Sequence, residues 1–210
     1  MARRMPKPFL LAGVVLLAAT LAGCGSSPPT RYFVLSAQPP AQPPATAPAA
    51  GGMAAPRLTI AVGSVKLPDV LDRVQLVHRS GANTLDIDGS NLWAEPLDEL
   101  MRRILAEDLS ARLPGATVFT AARPIAAVDR TVIVEVSRFE TEGDGHAELA
   151  ARWYVLGTQD NRPLASHTVT LQAPVQGGAA GGSDTTARVA ALSQVVADLA
   201  TDISARLTGP

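Results

Sequence analysis

Only one cysteine, Cys24, occurs in the 210 residues, so the chain can form no internal disulfide. Its stability has to come from packing. Histidine is nearly as scarce: His78, His146 and His167 are all there is, and with no cysteine pair at ligand spacing a zinc cluster cannot be assembled. Positive charge is not in excess either. Eighteen Lys and Arg stand against nineteen Asp and Glu, a formal charge of −1, which argues against nucleic acid as a partner. The glycine-rich stretch from Gly177 to Gly182 contains no lysine, so it is not a phosphate-binding loop. No Gly-x-Ser-x-Gly elbow is present, and the three histidines fall on expected strands with no obvious acid beside them. With no catalytic constellation and no metal-ligand set, the sequence reads as a protein other than an enzyme.

Long apolar runs are also missing, and the one candidate, Phe9 to Leu21, is too short for a spanning helix. Basic residues (Arg3, Arg4, Lys7) stand before it, and it ends in Leu21-Ala22-Gly23-Cys24, with Gly-Ser-Ser-Pro-Pro next in the chain. Residues 1–23 therefore read as a secretory signal, with a lipobox that places a thiol where lipoprotein processing attaches diacylglycerol. The expected chemistry is a thioether on Cys24, cleavage between Gly23 and Cys24, and N-acylation of the freed amine. No dissociable cofactor is expected. Two or more acyl chains bind a membrane nearly permanently, at about 0.8 kcal/mol per buried methylene. Loss of residues 1–23 removes three cations and no acid, leaving the mature chain more negative still.

Residues 24–30 read as a lipidated tether, and 31–210 as one domain with a Pro/Ala-rich disordered insertion at about 37–56. Tyr32-Phe33-Val34-Leu35 is a short aromatic and β-branched strand upstream of that insertion. Leu58, Ile60, Val62 and Val65 mark a second strand, and Val74 to Arg79 and Thr84 to Ile87 flank a hairpin turn. Leu97, Leu100, Met101, Ile104, Leu105, Leu109 and Leu113 recur at spacings of three and four, which predicts a helix over 95–113. Pro96 suits its first turn and Pro114-Gly115 ends it.

Val118-Phe119 is a further short strand. Thr131 to Glu140, Ala147 to Leu156 and Pro163 to Leu171 then form an antiparallel meander. In the first of these, Val132, Val134 and Val136 take one face, and Ile133, Glu135, Ser137 and Phe139 the other. Ser183 or Asp184 caps a last helix striped by Leu192, Val195, Val196, Leu199, Ile203 and Leu207. The fold class is α+β: a single domain with a largely antiparallel sheet packed against two main amphipathic helices.

Three clusters superficially suggest ligands. His146 and Glu148 share a strand face, but with no further ligand they read as solvated strand residues. Asp86, Asp88, Ser90 and Asn91 resemble the start of a calcium loop, but glycine stands at the fourth position and Leu97 at the twelfth, so a turn built on Asx side chains explains them better. Trp93 precedes the first helix and reads as a cover for its opening turn.

Three stretches taken together carry a family resemblance: the lipobox followed by Tyr32-Phe33-Val34-Leu35, the run from Val62 to Val77 with its Leu71-Asp72-Arg73, and Leu92-Trp93-Ala94-Glu95-Pro96-Leu97. The chain resembles the PqiC/YmbA family of ABC-type transport auxiliary lipoproteins. That resemblance implies a lipid-anchored protein of the outer membrane, facing the periplasm. It also implies a partner MCE-domain protein that moves phospholipid or other hydrophobic molecules between membranes, and assembly as a homo-oligomeric ring. Gly25, rather than aspartate, after Cys24 makes outward transfer the default. Trp93, Asp72 and Arg73 are the candidate partner-interface residues. Two other functions stay open: a lipid-binding carrier that encloses an acyl chain, and an assembly lipoprotein of another envelope complex.

Cys24→Ser is expected to release the protein from the membrane fraction. Unchanged membrane attachment on fractionation would refute lipidation as the tether.

Overall fold

The computed structural model describes residues 29–40, 58–120, 128–143, 145–157, 163–176 and 185–208. The signal segment, the lipobox with Cys24, the Pro/Ala-rich stretch from 41 onward, the Gly177–Gly182 loop and the cap expected at Ser183 or Asp184 lie outside them. Among the described residues eight strands form one sheet: β1 (Arg31–Phe33), β2 (Thr59–Lys66), β3 (Gln75–Gly81), β4 (Thr84–Trp93), β5 (Thr117–Thr120), β6 (Arg130–Glu142), β7 (His146–Gly157) and β8 (Pro163–Pro174). Two helices, α1 (Leu97–Arg112) and α2 (Thr185–Thr208), complete the α+β domain. Neither is long and apolar enough to cross a membrane.

β6 is the spine. Along one side it pairs antiparallel with β7 from Arg130 to Thr141, and β7 pairs antiparallel with β8, which is the expected meander. Its other side is shared. β2 runs parallel to its first half, Ile60 opposite Arg130 and Lys66 opposite Glu135, and β3 meets its far end in parallel, His78 opposite Thr141. From there the sheet branches: β5 adds in parallel to β2, while β4 adds antiparallel to β3 and β1 adds in parallel to β4. The long ladders are antiparallel, and the parallel ones are short. Period-two patterning sets which face a residue takes but not its strand's neighbour, so these parallel contacts emerge only in three dimensions.

Both helices cover the same sheet face. α1 packs over β2 and β5, α2 over β6, β7 and β8, and the helices pack on each other. The stripe read from the sequence is the one buried on α1: Leu97, Leu100, Met101, Ile104, Leu105 and Leu109. On α2, Leu192, Val195, Val196, Leu199 and Ile203 are buried as expected. These side chains and those of Ile60, Val62, Leu149 and Trp153 form one contiguous cluster, each large apolar group contributing roughly 1.5–3 kcal/mol before entropy.

Two β-bulges alter the alternation. Between Val62 and Val65 the β2–β6 register shifts, so both valines reach the core although three residues apart. Between Val136 and Arg138 the β6–β7 register shifts again. Phe139, expected opposite the valines, is therefore turned into the core with them. The tight turn after β6 uses Gly145 at a positive φ of 89°, with its amide donating to the Glu142 carbonyl at 3.1 Å.

At the first bulge the backbone passes so close to β6 that a Cβ on Gly63 would lie 3.2 Å from Thr131 Cγ2 and 3.3 Å from the Val132 carbonyl oxygen, whereas one on Gly89 would meet nothing within 4 Å. Gly63→Val is expected to lower stability by about 1–3 kcal/mol, and Gly89→Val to stay within about 0.5 kcal/mol. Urea denaturation midpoints check the contrast.

Candidate functional site

The chain leading from Cys24 enters the fold at β1, and the residues after β1 are gripped by both helices. Arg31, Tyr32 and Phe33 pair in register with Asn91, Leu92 and Trp93, and the Ala94 amide donates to the Phe33 carbonyl at 2.9 Å. Alternation then sends Phe33 and Leu35 inward, Leu35 to 2% exposure. Next, the Ser36 amide donates to Ser193 Oγ of α2 at 3.2 Å, and the Gln38 amide donates to Asp108 Oδ1 of α1 at 2.8 Å. Arg112 closes the ring: its Nη1 donates to the Gln38 carbonyl at 3.1 Å and to Asp108 Oδ1 at 3.2 Å. Residues 37 and 38, expected to open the disordered insertion, are thus part of the packed domain: Ala37 lies against the core and Gln38 is bonded on both sides of its backbone.

Asp108 is fully buried, and burial pushes its carboxyl above the usual aspartate range despite the Gln38 amide and the Arg112 guanidinium. Ser193 is equally enclosed, its hydroxyl donating to the Val189 carbonyl at 2.9 Å while accepting from Ser36. Neither residue stood out in the sequence. The available signal was a polar side chain inside an apolar helical stripe: Asp108 between Leu105 and Leu109, and Ser193 between Leu192 and Val195.

Two of the histidines do have acid partners, one across a hairpin and one on a helix distant in sequence. His78 Nε2 lies 3.5 Å from Asp86 across the β3–β4 hairpin. His167 on β8 places Nδ1 at 3.1 Å from Asp202 Oδ2 of α2, the oxygen that also accepts from Trp153 Nε1 at 2.9 Å. Arg206 pairs with the same carboxylate and stands 5.9 Å from the Trp153 ring centroid. Burial alone would raise the Asp202 carboxyl, but the His167 and Trp153 hydrogen bonds and the Arg206 charge outweigh it and hold the group below its ordinary value. This arrangement pins α2 to the meander.

On the sheet face away from the helices, Glu140 and Glu148 stand directly opposite each other and both are buried. Arg138 bonds Glu148 at 2.5 Å and lies 3.4 Å from Glu140, Arg79 Nε donates to Glu140 at 2.6 Å, and Gln172 donates to Glu148 at 2.8 Å. Glu148 is therefore not the solvated residue expected beside His146: the facing Glu140, the Arg138 guanidinium that the two share and the Gln172 amide enclose it. The calcium-like stretch is indeed an Asx turn. Asp88 Oδ1 accepts from the Ser90 and Asn91 amides at 3.0 Å each, and Oδ2 from Asn91 Nδ2 at 2.5 Å. Those bonds overcome its burial and lower its carboxyl below the ordinary value. Among the described residues no group of three or more His, Cys, Asp and Glu side chains is placed to hold a metal.

Of the candidate interface residues, Trp93 sits in the core at 5% exposure, its amide donating to the Val74 carbonyl at 2.6 Å. Asp72 is exposed and Arg73 half-buried, on the loop between β2 and β3. Trp93 thus belongs to the core beneath the β1–β4 edge, and of the three candidates only Asp72 is exposed.

One mixed sheet with two helices packed on the same face defines an α+β domain. Residues 33–204 match the family model of the ABC-type transport auxiliary lipoprotein component, and the chain belongs to that family. Among curated relatives it is similar to the intermembrane transport lipoprotein PqiC of Escherichia coli K12, 32% identical over 113 residues. The same stretch matches PqiC of Shigella flexneri equally well. That stretch is 53% of this chain and 59% of the relative, so the chain spans about three-fifths of the curated relatives it matches. Among solved structures, an uncharacterized protein aligns with a TM-score of 0.68 at 22% identity, over 86% of this chain and 99% of that one. Protein XCC0632 from Xanthomonas campestris aligns with a TM-score of 0.60 at 19% identity, over 82% and 92%. These likenesses support the fold.

Asp108→Ala is expected to destabilise the domain by about 3 kcal/mol, because it strands the buried Arg112 guanidinium. Asp108→Asn keeps an acceptor for Gln38 and costs less. Burial penalises only the ionised carboxylate, so the wild-type protein loses stability as pH rises from the ordinary aspartate value through the raised one. The difference from Asp108→Asn then shifts in favour of asparagine, which denaturation across that pH range measures.

Proposed function

We propose that this protein is a non-catalytic lipoprotein of the outer membrane, anchored by diacylglycerol and an N-acyl chain on Cys24, that faces the periplasm and docks an MCE-type intermembrane lipid transport assembly. Membership of a transport auxiliary lipoprotein family supports the general class, and that family is described by transport rather than by a reaction. The name of the E. coli relative gives intermembrane transport for that protein. The observation that carries the reading is the gripped N-terminal segment. Six residues separate Cys24 from Arg31, seven steps along the chain and a reach of roughly 25 Å when extended, and from Arg31 to Gln38 the chain is part of a packed domain. The lipid would hold a rigid body close to its membrane rather than a domain on a long leash. A rigid platform at that height is suited to receiving the end of a transport conduit, and a ring of copies would present several such platforms at once.

Among the described residues one contiguous apolar cluster lies between sheet and helices, which favours docking over a carrier that encloses an acyl chain. Affinity purification of the full chain from membranes in mild detergent is expected to recover an MCE-domain protein. Recovery of a different envelope complex without one would contradict the reading.

A further inference from the structure

The most exposed large apolar side chain among the described residues is Tyr32 at 68%, and Val34, two residues on, is exposed at 46%. Both belong to the segment that first leaves the tether. Alternation explains their direction: Phe33 and Leu35 serve the core, so Tyr32 and Val34 must take the other face. Packing does not require apolar groups there. Around them lie half-buried Leu92, paired with Tyr32, and exposed Ala94, bonded to Phe33, with exposed Val74 one strand further on and exposed Arg31 at the tether end. The largest of these groups is a tyrosine, whose ring and hydroxyl suit a boundary that is apolar on one side and wet on the other.

We infer that the β1–β4 edge, centred on Tyr32 and Val34, rests on the phospholipid surface that holds the anchor, so that the domain has a fixed orientation on the bilayer. The length of chain outside the fold selects this occupant. A tether reaching at most roughly 25 Å holds its attachment point within that distance of the membrane, and Tyr32, the most exposed large apolar side chain among the described residues, lies there together with Val34. Bilayer contact places the Tyr32 ring and the Val34 methyls among glycerol and upper acyl groups, and the Arg31 guanidinium among phosphates. The opposite end of the sheet, the β8 edge, then points away, five strand spacings or about 24 Å further on.

This inference rests on the anchor reading, and the experiment separates the two. Because Cys24 is the only cysteine and would be blocked by lipid, one added cysteine can be labelled alone. The lipidated full-length protein, as Tyr32→Cys, Val34→Cys, Ala94→Cys or Leu164→Cys, is labelled with a fluorophore. Each is reconstituted into phosphatidylethanolamine–phosphatidylglycerol vesicles containing a headgroup-nitroxide lipid. Leu164, 53% exposed on β8, is the distant reference.

Quenching several-fold greater at positions 32, 34 and 94 than at 164 is expected. A Tyr32→Glu, Val34→Glu double variant carrying the Ala94 label should then lose most of that excess while still floating with the vesicles. Equal quenching at all four positions, or an excess that the double variant keeps, overturns the inference and leaves the anchor reading standing. Failure of every variant to float defeats the anchor and the inference together.

Discussion

The buried meeting of Asp108, Arg112 and the Gln38 backbone makes the N-terminal segment part of the domain. Two short hydrogen bonds to a peptide unit are modest on their own, each about 1 kcal/mol net and more where a charge is involved. Their position gives them reach. They lie between α1 and α2, where Ser193 holds Ser36 and Leu35 fills the core beneath, so the segment that enters the sheet as β1 goes on to bridge the helices. Burial of Asp108 is unfavourable to its charge, and the arrangement persists because Arg112 and the Gln38 amide both answer the same oxygen. Pulling the tether would therefore load the core.

The sheet gives this grip a rigid base. β6 is long enough to hold β7 along one side and both β2 and β3 along the other, so the meander and the β3–β4 hairpin share one spine. Asp202 ties α2 to the meander through Trp153 and His167, and the Arg79–Glu140–Arg138–Glu148 cluster ties β3 to β6 and β7 on the opposite face. Polar groups buried on both sides of the sheet fix relative positions that apolar packing alone would leave looser. The consequence is mechanical: a pull on the chain ahead of β1 is a pull on the whole domain.

Much of this fold is legible in the sequence where a single period governs a segment. The stripes of α1 and α2 appear in the structure at the expected positions, and the meander's three strands are in place, because 3.6- and 2-residue periods report burial directly. The Asx turn at Asp88 is readable because its partners lie two and three residues away. Phe139 takes the face opposite to its period-two expectation because a bulge adds one residue that no local pattern announces. The partners of His167 and Glu148 are invisible for another reason. Asp202 is 35 residues from His167, and Arg138 is 10 residues from Glu148 across a hairpin whose register the bulge shifts. At the candidate site, the place of the first strand beside the lipobox is visible, but its fastening to Asp108 and Ser193 is not. A buried carboxylate in an apolar stripe states that a partner exists without naming it.

Hydrogen–deuterium exchange on the lipidated protein in detergent tests the central claim most directly, read at the amides of Phe33, Ser36 and Gln38. If the segment is an integral element, these amides exchange as slowly as those of β6 and only with global unfolding. Exchange there as fast as in a solvent-exposed loop, with β6 still protected, would contradict the account and leave the anchor attached to a loose strap.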